Sequence, residues 1–202
     1  MDIYQVIVYL NNSLLVICAF MGILKYKALK NTEKWYVYYI IFLFLIEALS
    51  KIYMICFKVK DLGFLFPYYV SGDFLMLASL FIRKLNLSKL GYVPVILLAG
   101  FFLVETPGIS YEIKKVISNI LIICFAGYAL LMEIRNTEID DRFMAADSLI
   151  FLYYGLSVFL FFLLRQIATF SIEEAGMIWS VNNILCGFMY ISIIYTFARL
   201  KK

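Results

Sequence analysis

Residues Trp35–Phe57 read WYVYYIIFLFLIEALSKIYMICF, a run of twenty-three in which only Glu47 and Lys51 carry charge. A helix of that length covers about 35 Å at ~1.5 Å per residue, enough for a ~30 Å hydrocarbon core. A strand does not fit. The apolar residues do not alternate, and the run is twice the ~10 residues of a barrel strand. An open sheet would leave backbone groups unpaired in lipid. The stretch therefore predicts a transmembrane helix, and the rest of the chain has to be read against the same solvent.

Working outward, six more apolar segments appear, so that the set runs 4–24, 35–57, 63–82, 89–105, 115–133, 147–168 and 176–198. Over 202 residues the chain is 64% hydrophobic and 16% charged, with a mean hydropathy of +0.91. Soluble domains are near half apolar and a quarter charged. The expected fold is all-α: a polytopic membrane bundle of about seven transmembrane helices forming one domain over 1–202. Segment 89–105 is the weakest, being short and carrying Gly91, Pro94 and Gly100; a six-span alternative makes it re-entrant. No internal repeat of the kind found in many transporters is evident.

The cations set an orientation. Lys25, Lys27, Lys30, Lys34, Arg83, Lys84, Lys89, Arg135, Arg142, Arg199, Lys201 and Lys202 fall on one side, and Lys51, Lys58, Lys60, Lys114, Lys115 and Arg165 on the other. Twelve against six puts the N-terminus outside and the C-terminus in the cytoplasm. The two sets alternate only for an odd number of spans. No basic region precedes the first segment, so no cleavable signal peptide is expected. Trp35, Tyr36, Tyr38, Tyr39, Tyr68, Tyr69 and Trp179 stand near segment ends, where aromatic rings anchor at the interface.

The chain has no histidine, which removes Ser-His-Asp, Cys-His and His-metal chemistry. Cys18, Cys56, Cys124 and Cys186 lack metal-knuckle spacing. The net charge of +4 sits at segment ends rather than in an aromatic-interleaved patch. No cofactor and no direct nucleic-acid contact are expected.

The informative residues are polar groups deep in apolar runs, each costly in hydrocarbon without a partner or water. Glu47 lies about twelve residues into the second segment with Lys51 at i+4, the favourable order for a pair on one helical face. Asp73 lies about ten residues into the third, with no cation within one turn; Lys51 of the neighbouring helix is one partner to consider. Asn11, Asn12 and Ser13, then Ser118 and Asn119, then Asn182 and Asn183, lie in the outer halves of three other segments. They either tie helices together or converge on a polar pocket open to the outside, with Glu47, Lys51 and Asp73 as its floor. The loop Glu133–Asp147, with Arg135, Glu138, Asp140, Asp141 and Arg142, is the most polar inside connection.

Ser71-Gly72-Asp73 partly matches the Gly-x-Gly-Asp element of intramembrane aspartyl proteases, but Val70 replaces the first Gly and no second segment supplies a mid-depth Asp; that chemistry needs two carboxylates sharing a proton. Ser71–Leu75 also loosely resembles a Gly-Asp element of the lysoplasmalogenase membrane family. The whole layout resembles a loose group of small seven-span bacterial membrane proteins, mostly of unassigned function. The matching features are Tyr38-Tyr39 through Glu47, then Pro67-Tyr68-Tyr69 and Asp73, then Trp179, Asn183 and Tyr190. Members often carry a His where this chain has Pro67-Tyr68. In size and number of passes the chain is also similar to the small membrane proteins that accompany and modulate type VI-B RNA-guided, RNA-cleaving defence nucleases. These resemblances imply a multi-pass protein of the bacterial inner membrane, regulatory or sensory rather than enzymatic, with a role in antiviral defence. The expected partners are the lipid bilayer, a cytoplasmic protein docking at loops 25–34 and 133–147, and a second copy of the chain in a homo-oligomer. Two alternatives stay open: a lipid-acting intramembrane hydrolase using Asp73 and Glu47, and a small transporter or pore.

Overall fold

The computed structural model describes residues 3–59, 61–135, 141–163 and 170–200; Lys60, Glu138, Asp140, Arg165, Lys201 and Lys202, used in the orientation and loop readings, lie outside them. Seven helices are described: α1 (Ile3–Lys25), α2 (Lys34–Cys56), α3 (Phe66–Lys84), α4 (Tyr92–Leu103), α5 (Tyr111–Arg135), α6 (Met144–Phe162) and α7 (Ile172–Arg199). All but α4 are long and apolar enough to cross a membrane. The chain is a polytopic all-α membrane bundle.

The long helices close a ring in the order α1, α2, α3, α5, α6, α7 and back to α1, with α4 packed on α3. Their directions follow from contacts. Lys25 at the end of α1 donates to the Leu200 carbonyl just beyond α7 (2.7 Å), and Asn11 reaches Asn183 further up, so α1 and α7 run parallel. Lys84 ends α3 beside Glu133 at the end of α5 and Asp147 at the start of α6. Successive helices alternate, and Ile3 and Leu200 stand at opposite ends, as an odd number of traverses requires. Lys25, Lys84 and Leu200 thus gather at one end of the bundle, the basic end.

The fourth segment departs from the seven-crossing expectation. Helix α4 has only 12 residues, about 18 Å, against a ~30 Å core. It still carries the chain back along α3, from Gly91 beside Ile82 to Ala99, whose carbonyl accepts from Ser71 (2.8 Å). Its limits are chemical. Ser88 caps the 3-10 turn Lys89–Gly91 that precedes it. Pro94 is third in the helix, where its missing N–H costs no intrahelical bond. Beyond it, Thr106-Pro107-Gly108-Ile109 forms a turn closed by Ile109 N–H to the Thr106 carbonyl (3.1 Å). Gly108 takes φ +83° there, the position of a type II turn that favours glycine.

Buried Lys114 completes that end, donating to the carbonyls of Phe101 (3.2 Å) and Val104 and lying 4.9 Å from the Phe101 and Tyr111 ring centres. Orphan carbonyls of a helix end suit a cation.

Helix α7 begins four residues before its apolar run because Ser171 and Glu174 form a capping box. Helix α3 is the most enclosed, burying Val70, Phe74, Leu77 and Phe81 among others. At Gly72 a Cβ would collide with the Phe42 ring. The glycine of Ser71-Gly72-Asp73 thus serves the close crossing of α2 and α3.

Candidate functional site

A cavity of about 400 Å³ opens between α1, α2 and α7, away from the basic end. Asn11 and Asn12 of α1, Tyr39 and Glu47 of α2, Tyr69 of α3, Tyr153 of α6, and Asn183 and Tyr190 of α7 line it. Along α2 the lining residues Tyr39, Leu43, Ile46, Glu47 and Ser50 repeat at three and four, one face of a helix. The Asn11 amide donates to the Asn183 carbonyl (2.7 Å), and Asn183 donates back to Trp179 (2.9 Å). The Asn11 side-chain oxygen is buried without a hydrogen-bond partner among the described residues.

Glu47 and Lys51 form the i,i+4 pair at 3.7 Å, with side chains 39% and 42% exposed. Asp73 does not join them and does not line the cavity. It is fully buried and bonded to Lys115 of α5 (2.6 Å) and to the Tyr154 hydroxyl of α6 (2.6 Å). The partner considered from sequence, Lys51, is not the one the fold selects. Tyr39 extends the chain of contacts, its hydroxyl 3.1 Å from that of Tyr154. Lys115 also lies 4.5 Å from the Tyr69 ring centre. A charged pair in hydrocarbon needs such company, because its desolvation otherwise outweighs its attraction.

Asn182 faces α6, accepting from Ser157 (3.1 Å). Asn119 is fully buried, and neither of its polar side-chain atoms has a hydrogen-bond partner among the described residues. Of the eight charged and amide residues singled out in the apolar runs, Glu47, Asn11, Asn12 and Asn183 converge on one cavity. Lys51 stands beside Glu47, and Asp73, Asn119 and Asn182 are held elsewhere.

Tyrosines were the missed members. Tyr38 and Tyr68 point outward as interface anchors do, but Tyr36 and Tyr39 are 2% and 1% exposed. Tyr36 donates to Asp147 (2.6 Å), and Tyr39 meets Tyr154. The signal that could have found them is the three-and-four spacing of Tyr36, Tyr39, Leu43 and Glu47. Two of the lysines on the sparsely basic side, Lys114 and Lys115, are likewise structural ties rather than loop charges.

The basic end is knit by charge. Lys84, 10% exposed, contacts Glu133, Asp141 (2.6 Å) and Asp147. Burial pushes the Asp141 carboxyl up, but the Lys84 ammonium and the Phe143 N–H outweigh it and hold it below its ordinary range. Arg142 grips both oxygens of Glu33 (2.7 and 2.8 Å), joining the α1–α2 and α5–α6 connections. Tyr36 stacks on Phe143 at 4.1 Å.

No protein-family model matches the chain, and neither the curated proteins nor the solved structures compared with it give a match.

Proposed function

We propose that this chain is a non-enzymatic, sensory or regulatory membrane protein that binds a small amphiphilic ligand in the cavity between α1, α2 and α7 and meets a cytoplasmic effector at its basic end. The observation that carries the reading is the division of labour among the carboxylates. The cavity holds amides, tyrosine hydroxyls and one carboxylate, Glu47. The second carboxylate that acid–base chemistry on a lipid would use, Asp73, has both oxygens engaged by Lys115 and Tyr154 outside the cavity. Pockets of this size with a few polar groups among apolar ones bind ligands well. The positive-inside bias supports placing the basic end in the cytoplasm, where the Arg142–Glu33 ion pair joins two connections.

Native mass spectrometry of protein released from its own membrane tests this. A bound small molecule should accompany the wild type and be lost in Asn183→Leu, while lipid mass spectrometry of the same preparation shows no turnover. A bare wild-type protein, or conversion of a lipid species that stops in Asp73→Asn, would overturn it.

A further inference from the structure

The cavity has a charge pattern that narrows its ligand. Six aromatic rings line it, those of Tyr4, Tyr39, Phe66, Tyr69, Tyr153 and Tyr190. Glu47 is its one carboxylate, and no lysine or arginine lines it among the described residues. The Lys51 ammonium lies 3.7 Å from Glu47, beyond a good hydrogen bond, so the carboxylate can accept a further donor. Aromatic faces are negative and attract cations, most strongly where water is excluded. The same molecule already uses that attraction, since Lys115 rests over the Tyr69 ring at 4.5 Å. The positive charge of Lys115 does not oppose a second cation nearby, because Asp73 neutralises it at 2.6 Å. An anionic head would find amide and hydroxyl donors but would face Glu47 with no lysine or arginine in the lining to offset it among the described residues. A neutral head would find the amides of Asn12 and Asn183 but nothing to favour it over water.

We infer that the cavity selects a ligand bearing an ammonium or trimethylammonium group, seated among the tyrosines and against Glu47, with an alkyl chain running along Leu43 and Ile46 of α2. The inference rests on the ligand-binding reading above and adds the chemical class.

The test uses the full chain in uncharged dodecyl maltoside micelles, titrated calorimetrically with hexyltrimethylammonium, hexyl sulfate, hexyl glucoside and tetramethylammonium, each corrected against empty micelles. Hexyltrimethylammonium should bind at least about tenfold more tightly than the sulfate or the glucoside, a margin that two or three cation–aromatic contacts supply. Glu47→Gln should weaken the cationic probe by about fivefold to tenfold and leave the glucoside unchanged, the modest factor reflecting the partial exposure of Glu47. Equal binding of all three hexyl probes overturns the ammonium assignment and leaves the cavity a binding site. No binding by any probe overturns both. Tetramethylammonium binding as tightly as its hexyl counterpart keeps the ammonium class but identifies a soluble cation rather than a lipid as its source. The wild-type series decides these outcomes without the variant.

Discussion

The two ends of this bundle solve the problem of charge in an apolar environment in opposite ways. At the basic end one lysine, Lys84, faces three carboxylates, and a bidentate Arg142–Glu33 pair joins two connections. Helices α2, α3, α5 and α6 are locked together there. Away from it a buried pair, Asp73–Lys115, is sealed by tyrosines, and beside it the helices α1, α2 and α7 surround a cavity of about 400 Å³, with the half-exposed Glu47–Lys51 pair on α2. The Asp73 cluster reaches the same four helices, through Lys115 of α5, Tyr154 of α6 and Tyr39 of α2; among the described residues neither cluster ties α1 or α7, the two helices that line the cavity with α2. Ligand sites are drawn from the less constrained parts of a fold, which suits the cavity's position.

Removing the hub should have the largest effect. Lys84→Met leaves Glu133, Asp141 and Asp147 facing one another with little solvent, and breaking a buried ion pair on one side costs about 3–5 kcal/mol. Detergent-solubilised protein should elute as aggregate or melt far below the wild type; a melting temperature near the wild type would mean the hub is not what holds this end. Lys115→Met should come next, at about 3 kcal/mol, by stranding Asp73. The double variant Asp73→Asn/Lys115→Met should regain most of that loss in a thermal-unfolding cycle, because an uncharged pair needs no counter-ion. If the single and double variants melt alike, the two residues are not coupled and the contrast between the ends weakens. The smallest effect should come from Glu33→Gln. Arg142 is 37% exposed, so water and salt already screen the pair, and about 1 kcal/mol is expected. A loss as large as that of Lys84→Met would extend the hub to the rim.

Much of the architecture was legible because membrane insertion is a property of each segment on its own. The run from Trp35 to Phe57 appears as α2 at Lys34–Cys56, and the alternation of basic ends matches the directions of the seven helices. Boundaries set by chemistry other than hydropathy were less visible. Helix α7 starts at its Ser171–Glu174 capping box rather than at its apolar run, although that spacing was in plain view. Helix α4 stops where the Thr106–Ile109 turn and the Lys114 side chain terminate it, and it fell short of the span its composition suggested. At the site, Asn11, Asn12, Asn183 and Glu47 could be picked out as polar groups stranded among apolar ones. Tyr36 and Tyr39 could not be told from interface anchors by residue type, since the same ring serves either place.

Hydropathy and charge bias alone determined that the chain lies in lipid as alternating helices, because each segment's transfer free energy depends on its own residues and the solvent around it. Only the tertiary structure decided that Asp73 answers to Lys115, 42 positions along the chain, and not to Lys51, that Lys84 gathers three acids, and that four of the polar candidates share a cavity. Those outcomes are pairwise. They depend on how each helix is rotated and set in depth against its neighbours, which is fixed by packing across the whole ring and is written in no single segment.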